Sequence, residues 1–209
     1  MFKKLSALAL TITSVLAATS GAAQAASLVS QIKVTSASGQ WLQISEVFAN
    51  EYGTGNDLAL TSAGATATGT GNWNPASNPL KAIDGAGIKS YPDIYHSDGR
   101  GANEYLLVDL ATPSMLESIT IQGREGCCSN RDVFNLELFN EVGESIFTAS
   151  NLDATGLNGH SVTVNLPKPV ESTSVPEPTS MLGILALTGL GAASLKGKLA
   201  KAESAKLLA

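Results

Sequence analysis

Both cysteines of this 209-residue chain stand side by side, Cys127 and Cys128, and two of its three arginines, Arg124 and Arg131, flank them seven positions apart. The stretch reads Gly123-Arg124-Glu125-Gly126-Cys127-Cys128-Ser129-Asn130-Arg131. A guanidinium is a planar fork of N–H donors suited to paired oxygen acceptors, such as adjacent hydroxyls. The plain alternative for each arginine is a surface salt bridge with Glu125, Asp132 or Glu137, worth little. Neighbouring thiols offer a covalent bond or redox exchange. His96 adds an imidazole beside Tyr95 and Asp98, but without a second histidine nearby it is poorly suited to zinc. The chain contains no Gly-x-Ser-x-Gly, no His-Glu-x-x-His and no plausible Ser/His/Asp set. It is expected to bind rather than to catalyse.

The chain ends say where this chemistry operates. Lys3 and Lys4, the apolar run 5–18 and Ala23-Gln24-Ala25 together read as a cleaved signal peptide over 1–25. Two cysteines in an oxidising compartment are expected to be bonded, to each other or to another chain. Over residues 26–175 there are 16 Asp plus Glu against 7 Lys plus Arg, a net charge of −9, whereas the whole chain carries −5. So acidic a surface argues against nucleic acid as a partner and tolerates a divalent cation.

The elements that must hold these residues are short strands. Gln40–Phe48 reads as a strand with a break near Glu46, and 57–60 as a short one. The Gly/Ala/Thr-rich segment 64–74 is an extended strand or a surface loop. Strands follow at 104–110, 116–122 and 133–140, the last in a hairpin with 145–149, and a final one at 161–166. No window has strong helical periodicity. The 26–166 region is therefore expected to be all-β, a sandwich or jelly roll of about 140 residues, with the cysteine loop at a strand end. Residues 167–180 form a Pro-rich linker.

Two resemblances sharpen this. Val175-Pro176-Glu177-Pro178-Thr179-Ser180, then an apolar run 181–195, then lysines at 196, 198, 201 and 206, resembles the PEP-CTERM sorting signal over 181–209, although its tail is lysine- rather than arginine-based. That implies a C-terminal apolar helix that anchors transiently in the inner membrane of a Gram-negative bacterium. It also implies an exosortase-type processing enzyme as a partner, and a destination at the cell surface or in the exopolysaccharide matrix. The apolar run is short for a stable span, which suits a transient anchor.

Ala82-Ile83-Asp84-Gly85, a polar loop with His96, and the strands Tyr105–Leu110 and Leu116–Ile121 resemble the discoidin domain of coagulation factors, a galactose-binding-like jelly roll. Arg124-x-x-Cys127-Cys128-x-x-Arg131 is similar to its fucolectin branch. The resemblance implies His96, Arg124 and Arg131 as sugar contacts, with Tyr95 beside them. It also implies a vicinal disulfide between Cys127 and Cys128 whose sulfur face lines the site. Where that branch carries an aspartate, this chain has Gly126. The resemblance further implies a structural Ca²⁺ held by Asp84 and Glu46, with carbonyls of the 81–86 loop and the neighbourhood of Asp93; hard oxygen ligands suit that ion. Trp41-Leu42-Gln43-Ile44-Ser45-Glu46-Val47 resembles the strand that closes such domains, yet stands at the front, as in a circular permutation. Trp41, Trp73 and Tyr91 are expected in the core or at its rim, with Tyr91 or Tyr95 as a sugar-stacking platform. The implied role is a calcium-stabilised, lectin-like module for a glycan or exopolysaccharide. The rival is an adhesive matrix protein that uses the same fold for protein contacts.

Overall fold

The computed structural model describes residues 27–168. The expected signal peptide and, from residue 169 on, the linker and PEP-CTERM-like segment lie outside the described residues. Among the described residues no helix is long and apolar enough to cross a membrane.

Among the described residues ten strands form antiparallel sheets, and the helical elements are five short 3-10 turns. The strands are β1 (Val29–Ser36), β2 (Gln43–Ile44), β3 (Glu46–Glu51), β4 (Thr66–Gly69), β5 (Tyr95–His96), β6 (Tyr105–Ser114), β7 (Leu116–Gln122), β8 (Val133–Phe139), β9 (Ser145–Asp153) and β10 (Ser161–Asn165). One sheet has the order β4-β6-β1-β8-β9, a second β10-β7-β3, and β2 and β5 make a two-stranded ribbon.

Period-two patterning explains the larger sheet. From Ile32 on, β1 alternates Ile32, Val34 and Ser36 inward with Lys33 and Thr35 outward. Its neighbours do the same with Leu106, Val108 and Leu110, and with Phe134, Leu136 and Leu138. These side chains share one apolar core with Val47, Ala49, Ile119 and Ile121 of the smaller sheet, the arrangement expected of a β-sandwich. The central strand β1, paired on both sides with β6 and β8, was not among the strands expected from the sequence. Residues 57–60 contribute only an isolated bridge between Asp57 and Asn50; Asp57 Oδ1 instead accepts the backbone N–H groups of Ala49 and Ala59.

Gln40–Phe48 does break, one residue earlier than expected. Ser45 separates β2 from β3, so the chain leaves the ribbon and enters the smaller sheet there. That handover sets the ribbon beside the β7–β8 loop, residues 123–132.

Ile32 is fully buried in the strand that both neighbours pair with. Ile32→Ala is expected to lower unfolding free energy by roughly 2–5 kcal/mol, read from the urea midpoint; a loss under about 1 kcal/mol would mean the sheet does not depend on β1.

Candidate functional site

The ribbon places the imidazole. Gln43 lies opposite His96 and Ile44 opposite Tyr95. The Leu42 N–H donates to Ser97 Oγ and the Ser97 N–H to Leu42 O, each at 3.0 Å. Trp41 is thereby set against His96, at 6.4 Å between ring centroids. On the other side the Trp73 N–H donates to His96 O at 2.9 Å, bringing its ring to 6.0 Å. The two indoles meet edge to face at 6.0 Å and 86°, and Tyr91 is edge-on to His96 at 5.9 Å. His96 is thus the centre of an aromatic floor formed by Trp41, Trp73 and Tyr91.

Three arginines rim that floor. The Arg100 guanidinium lies 3.6 Å from the Trp41 centroid and that of Arg131 4.9 Å from it, while Arg124 lies 5.5 Å from Tyr91. All are within cation–π range. Among the described residues every ion pair involves a lysine, so these guanidiniums keep their donors free of carboxylate partners. Arg124 Nε is buried with no hydrogen-bond partner, an unusual state for a charged donor.

The β7–β8 loop is fixed tightly enough to aim two of them. The Gly123 N–H donates to His160 O at 2.9 Å, and a side chain at Gly123 would collide with Asp132 and the Ala154 carbonyl. Gly126 has φ 85°, a left-handed backbone that disfavours a side chain; this accounts locally for glycine where the resemblance has aspartate. The Cys127 and Cys128 sulfurs lie at disulfide distance. Cys128, at φ 73°, starts a 3-10 turn over Ser129–Arg131, and the Arg131 carbonyl accepts from Ser38 Oγ at 3.0 Å.

The carboxylate serving this loop comes from the next residue. Asp132 is fully buried, and its Oδ2 accepts the Arg124 backbone N–H at 2.7 Å. It is a buried brace of the loop, not the surface salt-bridge partner that the sequence allowed. Burial raises its pKa to about 7, against the pull of the Arg124 N–H and both guanidiniums. His96, 7% exposed, is shifted the other way: burial first, then the charges of Arg124 and Arg131, hold it below the usual histidine range. Its Nδ1 lies 2.8 Å from Ser97 O and its Nε2 3.4 Å from Gln43 Nε2. With Nδ1–H donating to the carbonyl, Nε2 accepts from the Gln43 side-chain amide.

Of the residues expected to contact a ligand, His96, Arg124 and Arg131 therefore meet, with Cys127 and Cys128 in the same loop. Tyr95 does not. It is fully buried and its hydroxyl donates to Tyr105 O at 2.9 Å, because neighbours along a strand face opposite ways. Tyr91 takes the aromatic place instead. Arg100, Trp41 and Trp73 were not expected at the site; the signal available was that Arg100 follows His96 in one loop and that both tryptophans of the chain precede it.

Asp84 and Glu46 are brought together, but around an ammonium. Lys89 Nζ donates to Asp84 Oδ1 and to Lys81 O, each at 2.6 Å, and lies 3.7 Å from Glu46 Oε2. Burial is the largest single influence on Asp84 and pushes it up, but the hydrogen bonds from Lys89 and the Ala86 N–H, with the Lys89 charge, together hold it below the usual carboxylate range. Desolvation raises Glu46 to about 7 despite Lys89 and the Gly85 and Gly87 N–H groups. Asp93 is not in this cluster: it is exposed and pairs with Lys81 Nζ at 3.3 Å. Among the described residues no group of three or more His, Cys, Asp or Glu side chains is placed to hold a metal. With Lys89 among them, the oxygens do not fit Ca²⁺, which takes six or more.

No family model, curated protein or solved structure matches the chain.

Asp132 generates a pH prediction. A carboxyl raised from 3.8 to about 7 in the folded state contributes stability below the lower value, and loses it as pH climbs through the higher one. The stability of the wild type relative to Asp132→Asn should therefore fall between pH 3.8 and about 7, followed by thermal unfolding across that window. A pH-independent difference would contradict the assignment.

Proposed function

We propose that this chain is an exported, non-catalytic glycan-binding module with a galactose-binding-like jelly roll, of the discoidin and fucolectin type. The observation that carries the reading is the convergence of His96, Arg124 and Arg131 on one aromatic floor. Sugars have apolar C–H faces and hydroxyl edges. A floor of Trp41, Trp73 and Tyr91 around His96 suits the first, and free N–H donors of the guanidiniums suit the second. Trp73 is 58% exposed, a large apolar surface at the place where a ligand would dock.

Export rests on the two terminal signals. Transient anchoring through 181–195, an exosortase-type partner and a destination at the cell surface or in the exopolysaccharide matrix of a Gram-negative bacterium belong to the same proposal. In the bound state the sulfur face of Cys127 and Cys128 lies against the sugar, and the arginines grip adjacent hydroxyls or an acidic substituent.

A glycan array carrying neutral and acidic sugars tests the reading. Wild-type protein should give a defined set of hits, with the bound glycan recovered intact. Arg124→Ala, Arg131→Ala and Trp41→Ala should each weaken the best hit by roughly tenfold or more. Leu157→Ser, at a position 95% exposed and without a role in the site, should leave it unchanged. A flat array with folded wild type would remove this reading in favour of a matrix protein working through protein contacts.

A further inference from the structure

Lys89 is engaged at both ends. Its ammonium stands among Lys81 O, Asp84 Oδ1 and Glu46 Oε2, with the side chain only 12% exposed and the Glu46 side chain 0%. Its backbone N–H donates to Ser45 Oγ at 3.1 Å, and its carbonyl accepts the Glu125 N–H at 2.9 Å. Ser90 Oγ, next in the chain, donates to Glu125 O at 3.2 Å. One residue therefore connects the acidic cluster to the loop that carries Arg124.

The charge at this point is also supplied by the chain. Asp84 and Glu46 are two carboxylates converging in a partly desolvated place, which costs free energy unless a cation answers them. The Lys89 ammonium is such a cation, and it makes two hydrogen bonds to oxygen at 2.6 Å. A divalent ion added beside it would bring like charges together with little water to screen them. Glu46 Oε1 and Gln122 Oε1 are buried without partners, and the Lys89 ammonium bonds to neither. The turn adds backbone donors to the same carboxylates: the Ala86 N–H donates to Asp84 Oδ1 and the Gly87 N–H to Glu46 Oε2.

We propose that Lys89 is a built-in cation that does the work of a bound metal, positioning the recognition loop so that the module folds and binds without Ca²⁺. The binding half of this statement rests on the glycan-binding reading; the folding half does not. Lys89 acts through the Glu125 N–H and is a positioning residue, not a ligand contact.

Thermal unfolding of the full chain, in CaCl₂ and in EDTA, separates the possibilities without any glycan. Wild type should unfold at the same temperature in both. Lys89→Ala should unfold lower in EDTA, by on the order of 10 °C, and CaCl₂ should restore part of the loss, because the variant leaves its oxygens facing an open space. Where an array hit exists, wild-type binding should be indifferent to EDTA. A wild type that loses stability on chelation, or a Lys89→Ala protein that unfolds at the wild-type temperature in EDTA, would overturn the proposal. A flat array with these thermal results would remove the glycan reading and leave the internal cation standing.

Discussion

The arrangement depends on a buried polar junction at Ser45. Its hydroxyl lies 2.7 Å from Gly123 O and 3.0 Å from Lys89 O, and accepts the Lys89 N–H at 3.1 Å. Its own N–H donates to Gln122 O at 2.8 Å. Ser45 is fully buried, so each of these groups would be costly if left unpaired. Three separate pieces of chain meet here: the ribbon that sets Trp41 and His96, the loop that carries Lys89, and the start of the loop that carries the arginines. Because the junction is satisfied only in one relative placement, it fixes the spacing of imidazole and guanidiniums.

Around that junction the electrostatics divide into two compartments. Below, two carboxylates are answered by Lys89. Above, three guanidiniums gather on aromatic faces with no carboxylate in ion-pair range among the described residues, and buried Asp132 is pushed toward neutrality. A domain so acidic overall has placed all its arginines together, without a carboxylate partner among the described residues. On the proposed reading, this is how a protein with an acidic surface would hold a polar ligand: the positive potential is local and set on an aromatic floor.

Much of this was legible in the residues. The alternation in β6, β7 and β8 and the arginine spacing around Cys127 and Cys128 need no coordinates. Ile32-Lys33-Val34-Thr35 carries the same alternation, but a single short run close to an expected cleavage site does not announce itself as the central strand. What could not be read is anything that depends on pairing register. Whether Tyr95 or His96 faces the site depends on a two-residue ribbon, and a shift of one would exchange them. Trp41 and Trp73 become a floor only once β2 and β5 pair. Lys89 was silent for a related reason: a surface lysine and a buried counter-ion are the same letter, and only the fold decides which oxygens surround it.

Both tryptophans of the chain, Trp41 and Trp73, lie in the site, so indole emission reports on it alone. The measurement that bears most directly on the central claim is a titration of intrinsic tryptophan fluorescence with the best array glycan, wild type beside Arg124→Ala. A saturable change in wild-type emission, at the concentrations where the glycan binds, is predicted, with the curve shifted to much higher concentration in the variant. A glycan that binds while the emission of both indoles stays unchanged would place recognition elsewhere and contradict the account.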